Sequence, residues 1–411
     1  MDKKQIYIMQ ELGKRYAEAA AMDVQNQKIR LWQKLNGLKE TRPMVMIDQL
    51  PWNELNNENE LTLLCTDPLL KFIEREMRQT LYKWKHFKAD MVVPNRVDIP
   101  KFVKNTRIGP DVHEDVKSTD PANSVKGHRY YDLLPDEQAL DAIETPTIIT
   151  DPELDRKNFE NVSEVFQGIL PVRMSGITVH AGIWDRITTL RGAEAILYDL
   201  ADRPEFVLKI VNKFVDISMN VLDQFEKEGL LDAESPLIHC TGAFTDELPG
   251  KDYNGSNAKA KDCWSFGMSQ IFSTVSPGMH DEFEIEPLKQ YLERFGLMYY
   301  GCCEPLDMKI DIIRKINNVR KISVSPWADK VRAAKNIHGD YVFSNKPNPA
   351  FLAGDSFYPD EIKKDLQETV RICKEFNTPC ELILKDVSTV RYKPERLAVW
   401  EKIAMEVVND I

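Results

Sequence analysis

The spacing of apolar positions changes rhythm three times along this chain. The first forty or so residues are polar and rich in Ala, Glu, Lys and Gln, which favours helix; they read as one or two surface helices available to a partner. Arg42–Asp48 then reads as a buried strand with Pro43 at its edge, and Asp90–Pro94 as a second. From about 101 to 160 the pattern dissolves into Pro, Asp, Lys and Thr, with aromatic clusters such as His128–Tyr131. That stretch is too long for a simple connection and predicts a functional excursion or cap. Beyond it, strands are expected at 169–173, 236–240, 297–302, 321–325, 341–344 and 380–384. Amphipathic helices are expected at 204–225, 277–295, 306–316, 329–336, 359–377 and 394–409. In the first of these, Phe206, Val207, Ile210, Val211, Phe214, Val215 and Ile217 repeat with a helical period. Ser276-Pro277 and Tyr358–Glu361 put Pro and acids at helix starts.

Eight strands with helical segments between them predict an α/β fold, a (β/α)₈ TIM barrel over 42–411. The barrel carries a helical N-terminal extension (1–41) and a long irregular insertion after the second strand; a doubly wound open sheet is the alternative. Barrel chemistry sits at the C-terminal strand ends. Those ends hold Asp48 and Trp52, Asn95 and Arg96, Arg173 and Ser175, His239 and Cys240, Cys302–Glu304, Ser325 and Trp327, Asn345 and Lys346, and Lys385 and Asp386.

Composition narrows the partners. With 411 residues the chain exceeds the usual single-core size, and 43% hydrophobic and 29% charged residues are ordinary for a globular protein. A formal charge of −11 argues against nucleic-acid or anionic-membrane partners. No stretch reads as a signal peptide or a membrane span. Seven cysteines without disulfide-scaffold spacing predict a cytoplasmic protein with reduced thiols. Walker, G-x-G-x-x-G, G-x-S-x-G and H-E-x-x-H motifs are absent, so nucleotide binding, serine hydrolysis and zincin proteolysis have no support.

What remains is metal-capable side chains at strand ends. Cys302, Cys303 and Glu304 close one expected strand; His239 and Cys240 close another. Thiolate and imidazole donors on rigid neighbouring elements suit zinc, and a catalytic zinc needs three protein ligands and an open position. Neighbours on a strand face opposite ways, so one of Cys302 and Cys303 is expected to face the lumen, and likewise one of His239 and Cys240. The alternative is packing for one thiol and surface exposure for the other. His280 and Glu284, at i,i+4, read as a solvated pair more readily than as ligands. Cys263 reads as loop packing, Cys65 and Cys373 as inert helix residues, and Cys380 as a stabilising residue at the barrel's N-terminal face.

Several segments resemble the uroporphyrinogen decarboxylase superfamily, which includes cobalamin-dependent methyltransferases. Pro43-Met-Val-Met is similar to its first strand. Ser276-Pro277 with Phe283-Glu-Ile-Glu-Pro287 is similar to its S-P-x-x-F-x-E-F helix, Tyr300-Gly-Cys-Cys to its H-x-C-G strand end, and Asn345–Pro349 to its G-N-x-x-P segment. Tyr300–Leu306 and Ser323–Asp329 match a subgroup with Y-G-C-C-E-P-L and S-V-S-P-W-A-D segments, usually labelled decarboxylase by fold, which does not settle function. The arginine-rich signature that holds tetrapyrrole carboxylates is missing: Met46–Glu54 contains no Arg.

The resemblance therefore implies the methyltransferase branch and a TIM barrel. It implies Cys302 as a zinc ligand, while Tyr300 stands where that branch has His, and Lys385-Asp386 near its later Cys. Cys303 and His239 are the further metal candidates. Cys302, Glu304 and Asp386 are expected to be catalytic, and Trp52, Asn95, Arg96, Trp327, Asn345 and Lys346 to bind substrate. The expected activity moves a methyl group between a small methylated compound and a corrinoid, assisted by zinc, in anaerobic metabolism. No D-x-H-x-x-G signature is present, so the corrinoid is expected on a partner protein. A homodimer is compatible with family members. The alternatives are decarboxylation of a small acid held by Arg96, Arg173 or Lys346, and a metal-free barrel acting as a binding protein.

Overall fold

Among the described residues eight short strands pair in parallel: β1 (Met44–Ile47), β2 (Val97–Pro100), β3 (Val172–Ser175), β4 (Trp264–Gly267), β5 (Leu297–Tyr300), β6 (Val319–Val324), β7 (Val342–Asn345) and β8 (Cys380–Leu384). The computed structural model describes residues 2–410 except 119 and 124. β1 and β4–β8 form one parallel sheet in the order β1-β8-β7-β6-β5-β4. A sheet whose first strand pairs with its last is curled, and this one is a half-barrel. β2 and β3 pair separately, in parallel. Single parallel bridges tie Ile177 to Leu231 and His180 to Phe266 of β4. Among the described residues the continuous ladder thus covers six strands, and the expected ring of eight is not completed by pairing.

Three expected strands are corrected. Asp90–Pro94 forms no ladder strand, because the helix Asp23–Asn36 takes its backbone groups. Trp32 Nε1 donates to Asp90 O at 2.9 Å, Lys28 Nζ to Met91 O at 3.2 Å, and Val93 N donates to Gln25 Oε1 at 3.0 Å. The strand expected at 169–173 is shifted to 172–175. The segment 236–240 is one arm of a tight hairpin, Leu237–Ile238 paired with Thr241–Gly242. The fourth strand of the half-barrel region is instead Trp264–Gly267, where Trp and Phe alternate with Ser and Gly over only four residues, too short a pattern to stand out.

The two N-terminal helices, Lys3–Ala20 and Asp23–Asn36, pack on the chain itself. Met9, Leu12, Tyr16, Trp32 and Leu35 join Met44 and Met46 of β1 in one buried cluster. Gly242 lets Trp32 close on the hairpin: a Cβ there would lie 2.5 Å from the indole. Trp32 also faces Lys321, whose Nζ is bonded to Glu381 Oε2 at 2.8 Å and to Thr241 Oγ1 at 3.1 Å. This end of the sheet, where the strands begin, is plugged.

The insertion carries an antiparallel pair, 103–104 with 149–150, that encloses a small hairpin, 114–117 with 127–130, and a five-residue helix, Glu137–Asp141. The helix Pro204–Lys227 forms as its periodicity predicts. The segment 277–295 is broken by a π-helical turn, Asp281–Ile285. His280 and Glu284 on it are fully buried, not solvated; His280 Nε2 lies 3.1 Å from Glu284 Oε2 and 2.8 Å from the Tyr300 hydroxyl. Cys65 precedes the helix Pro68–His86 and gives its N–H to Glu74 at 2.8 Å. No described helix is long and apolar enough to cross a membrane.

Candidate functional site at the strand ends

β5 ends at Tyr300, and the turn after it sets the site. Gly301 has φ of +93°, and a Cβ on it would fall 2.4 Å from Leu306 Cδ1, so a side chain fits neither the turn nor the space. This left-handed residue takes Cys302 and Cys303 off the strand's alternation. Both sulfurs therefore lie together, 3.5 Å apart, with Cys302 buried and Cys303 exposed as one inward and one outer thiol would be. Glu304, fully buried, braces the turn by accepting from Cys302 N at 2.9 Å and from Ser269 N at 3.2 Å.

The end of β8 supplies the opposing groups. Lys385 Nζ donates to Cys302 Sγ at 3.1 Å and pairs with Asp386 Oδ2 at 2.7 Å, while Cys303 Sγ lies 3.6 Å from that same carboxylate oxygen. Hydrogen bonding from the Cys303 thiol lowers the Cys302 pKa; burial opposes this and the Lys385 ammonium adds to it. The same hydrogen bond, with burial, pushes Cys303 well up. Burial works against the charge on Lys385, but the Cys302 sulfur and Asp386 hold it above its ordinary value.

Two further groups face this cluster. Lys346, one residue past β7, is buried; burial and the Lys385 charge bring it down to about 8. Its Nζ reaches Ser344 Oγ at 3.3 Å and lies 4.9 Å from the centre of the Tyr299 ring. His239 stacks on Phe266 at 5.0 Å, and its buried Nε2 has no partner. Burial, then Lys346 and Lys385, depress it to about 2, so it is neutral. His239 and Cys240 form the two-residue turn of their hairpin with φ of 42° and 71°. Such turns ordinarily use Asn-Gly, and strained backbone of this kind collects at functional sites. Burial raises Cys240 to about 12, an inert thiol.

Two neighbours of the cluster escape the sequence reading. His180 stacks on Phe266 at 4.6 Å, so that His180 and His239 sandwich the ring. His180 Nε2 lies 3.5 Å from Asp185, whose carboxyl burial and Glu304 raise to about 7. Both follow β3 at spacings that match no motif, and only the bridge from His180 to β4 brings them to the mouth.

Other expected site residues lie elsewhere. Asn95 and Arg96 precede β2 instead of ending a strand. Arg96 and Arg173 are bound to Asp98, Asp232 and Glu234, which leaves neither free to hold a substrate carboxylate. Trp52 packs edge-on against Tyr82, and Trp327 is 73% exposed. Asn345 sits on the face of β7 opposite Ser344 and Lys346, with neither amide atom bonded. Tyr300 points away from the thiols to Glu284, 2.5 Å from its carboxylate, so it does not replace a ligand.

The donors suit a zinc-sized ion. Cys302, Cys303 and Asp386 each offer one atom, all within 4.8 Å of one another. Their 3.5 and 3.6 Å separations match the edges of about 3.5–3.8 Å that tetrahedral zinc–sulfur and zinc–oxygen bonds span. His239 is not part of this group.

No protein-family profile matches the sequence, and no curated protein is significantly similar to it. A solved structure is similar in fold: a methyltransferase from Methanosarcina mazei, with a TM-score of 0.52 and 9% identity, covering 92% of this chain and 98% of that one. At this identity the likeness establishes a shared architecture.

Proposed function

We propose that the protein is a methyltransferase that moves a methyl group between a small methylated compound and a corrinoid carried by a separate protein, acting at the mouth of a TIM-type barrel. The observation that carries this reading is the Cys302–Cys303–Asp386 donor set, built on the ends of β5 and β8, in a chain whose fold is similar to that of a methyltransferase. Cys302, Cys303 and Asp386 would hold a zinc ion, leaving one position open. Bound there, the metal supplies Lewis-acid activation of a leaving or attacking heteroatom.

The chain's own residues prepare that position. Lys385, itself buried, donates to the Cys302 sulfur and pairs with the exposed Asp386 carboxylate, which ties these two donors together. Glu304 fixes the backbone of Cys302 and so acts as a positioning residue. The carboxyl of Asp185, raised to about 7 by burial and Glu304 and set 3.5 Å from His180, holds a proton in part near neutral pH and is available to hand it to a leaving group. The test is methyl transfer from methoxy-aromatic, methylamine and betaine donors to a reduced corrinoid protein, followed by its absorbance change. Transfer abolished by Cys302→Ser supports the reading; no transfer from any donor class counts against it.

Decarboxylation of a small acid is the second reading, favoured by one observation, the unpaired ammonium of Lys346. It predicts carbon dioxide release without corrinoid.

A further inference from the structure

Among the described residues five lysines are buried: Lys28, Lys309, Lys321, Lys346 and Lys385. Four of them have strong acceptors. Lys321 and Lys385 are paired with Glu381 and Asp386, at 2.8 and 2.7 Å. Lys28 and Lys309 donate to the backbone carbonyls of Met91 and Phe272. Lys346 has a single hydroxyl, Ser344 Oγ at 3.3 Å, which already accepts from the Tyr299 hydroxyl at 2.8 Å. The carboxylate that acts on it, Glu381, is bound by Lys321. A buried ammonium without a counter-charge is costly, and such groups persist where a ligand completes them.

The surroundings say what that ligand carries. Lys385 is answered by Asp386 at 2.7 Å and the Cys302 sulfur at 3.1 Å, which leaves Lys346 as the buried ammonium of this mouth with no carboxylate bonded to it. The His239 ring is neutral, its Nε2 is buried without a partner, and its strained turn holds the ring in place. Lys346 Nζ lies 4.9 Å from the centre of the Tyr299 ring and the His239 ring 5.0 Å from it, so an ammonium and a neutral imidazole flank one ring, groups suited to one planar oxyanion. A cationic or neutral group would leave the Lys346 charge unanswered.

We propose that the small-molecule substrate of this mouth is a carboxylate, its anionic group seated on Lys346 Nζ with the His239 ring as second contact and its methyl-bearing end toward Cys302 and Cys303. The inference rests on the mouth being the substrate site, common to both readings above, and it names the class of donor: methylated compounds bearing a carboxylate, such as methoxy acids or betaines. It needs neither zinc nor corrinoid, so it can be tested by binding alone.

The experiment is calorimetry on the reduced, chelator-treated full chain with methoxyacetate and with 2-methoxyethanol, which share the ether and differ in the carboxylate. The wild type is expected to bind methoxyacetate at least about tenfold more tightly, and Lys346→Met to lose that preference with no fall in its thermal midpoint. Equal binding of the two by the wild type, or a preference retained in Lys346→Met, overturns the proposal. A readout free of the variant is acetylation of Lys346 by acetic anhydride, mapped by mass spectrometry. Methoxyacetate should slow it and 2-methoxyethanol should not; unchanged labelling overturns the seat. Failure of methyl transfer with carboxylate binding intact would count against the methyltransferase reading alone.

Discussion

Two buried lysines stand at opposite ends of the same half-barrel. Lys321, near the start of β6, is held by Glu381, Thr241 and the Gly242 carbonyl under the Trp32 ring, and the N-terminal helices seal it from water. Lys346, just past β7, has one shared hydroxyl. The first is a closed network of the kind that fixes a fold, the second an open one that a ligand completes. The contrast separates residues that hold the barrel from residues that use it, although both are Lys in a buried strand context.

Mutations should split the two ends by sign. Lys321→Met strands the Glu381 carboxylate and is expected to cost about 3–5 kcal/mol, read from the denaturant midpoint at constant m. Lys346→Met is expected to stabilise the unliganded protein by about 2 kcal/mol at pH 7. Its pH dependence is fixed by the lowered pKa. Between about 8 and 10.5 the unfolded chain binds more protons at this lysine than the folded one, so wild-type stability rises with pH there. The variant's advantage should therefore be full below pH 8 and fade toward 10.5. A loss of stability in Lys346→Met at pH 7 would erase the distinction between the two ends.

Smaller effects sharpen the picture of the mouth. Gly301→Ala puts a Cβ 2.4 Å from Leu306 in a left-handed turn and is expected to cost about 1–3 kcal/mol. It should also separate the two thiols, seen as faster modification of Cys302 by a thiol reagent. Asp185→Asn is the mildest. Its carboxyl is raised to about 7, so the folded state loses stability as pH climbs from about 4 through 7. Asparagine removes that loss, and the gain should be under about 1 kcal/mol because the group is partly solvated. It should appear above pH 7 and vanish near pH 4, by thermal unfolding at both values.

Much of the frame is legible in the sequence because it obeys local rules. β5 to β8 and the helices expected at 204–225, 329–336, 359–377 and 394–409 lie close to where their apolar spacing puts them, while 277–295 is broken and 306–316 keeps only Ile310–Ile313 as helix; the thiols at the end of β5 are visible from their position in Tyr300–Leu306. What escapes depends on long-range contacts. Asp90–Pro94 is apolar enough for a strand, yet three side chains from Asp23–Asn36 take its backbone groups. Trp264–Gly267 has strand pairing on both sides, but its alternation runs over only four residues. His180 and Asp185 reach the mouth only through the bridge to β4, which no spacing announces. Strand alternation puts Cys302 and Cys303 on opposite faces, and the left-handed turn at Gly301 brings their sulfurs to 3.5 Å. The difference between Lys321 and Lys346 lies wholly in which groups surround them.

The most direct measurement is the metal content of the protein purified under reducing conditions, wild type against Cys302→Ser. About one zinc per chain in the wild type, lost in the variant while the thermal midpoint is kept, is the result this account predicts. A wild-type protein that retains no metal and takes up none when zinc is added would contradict it.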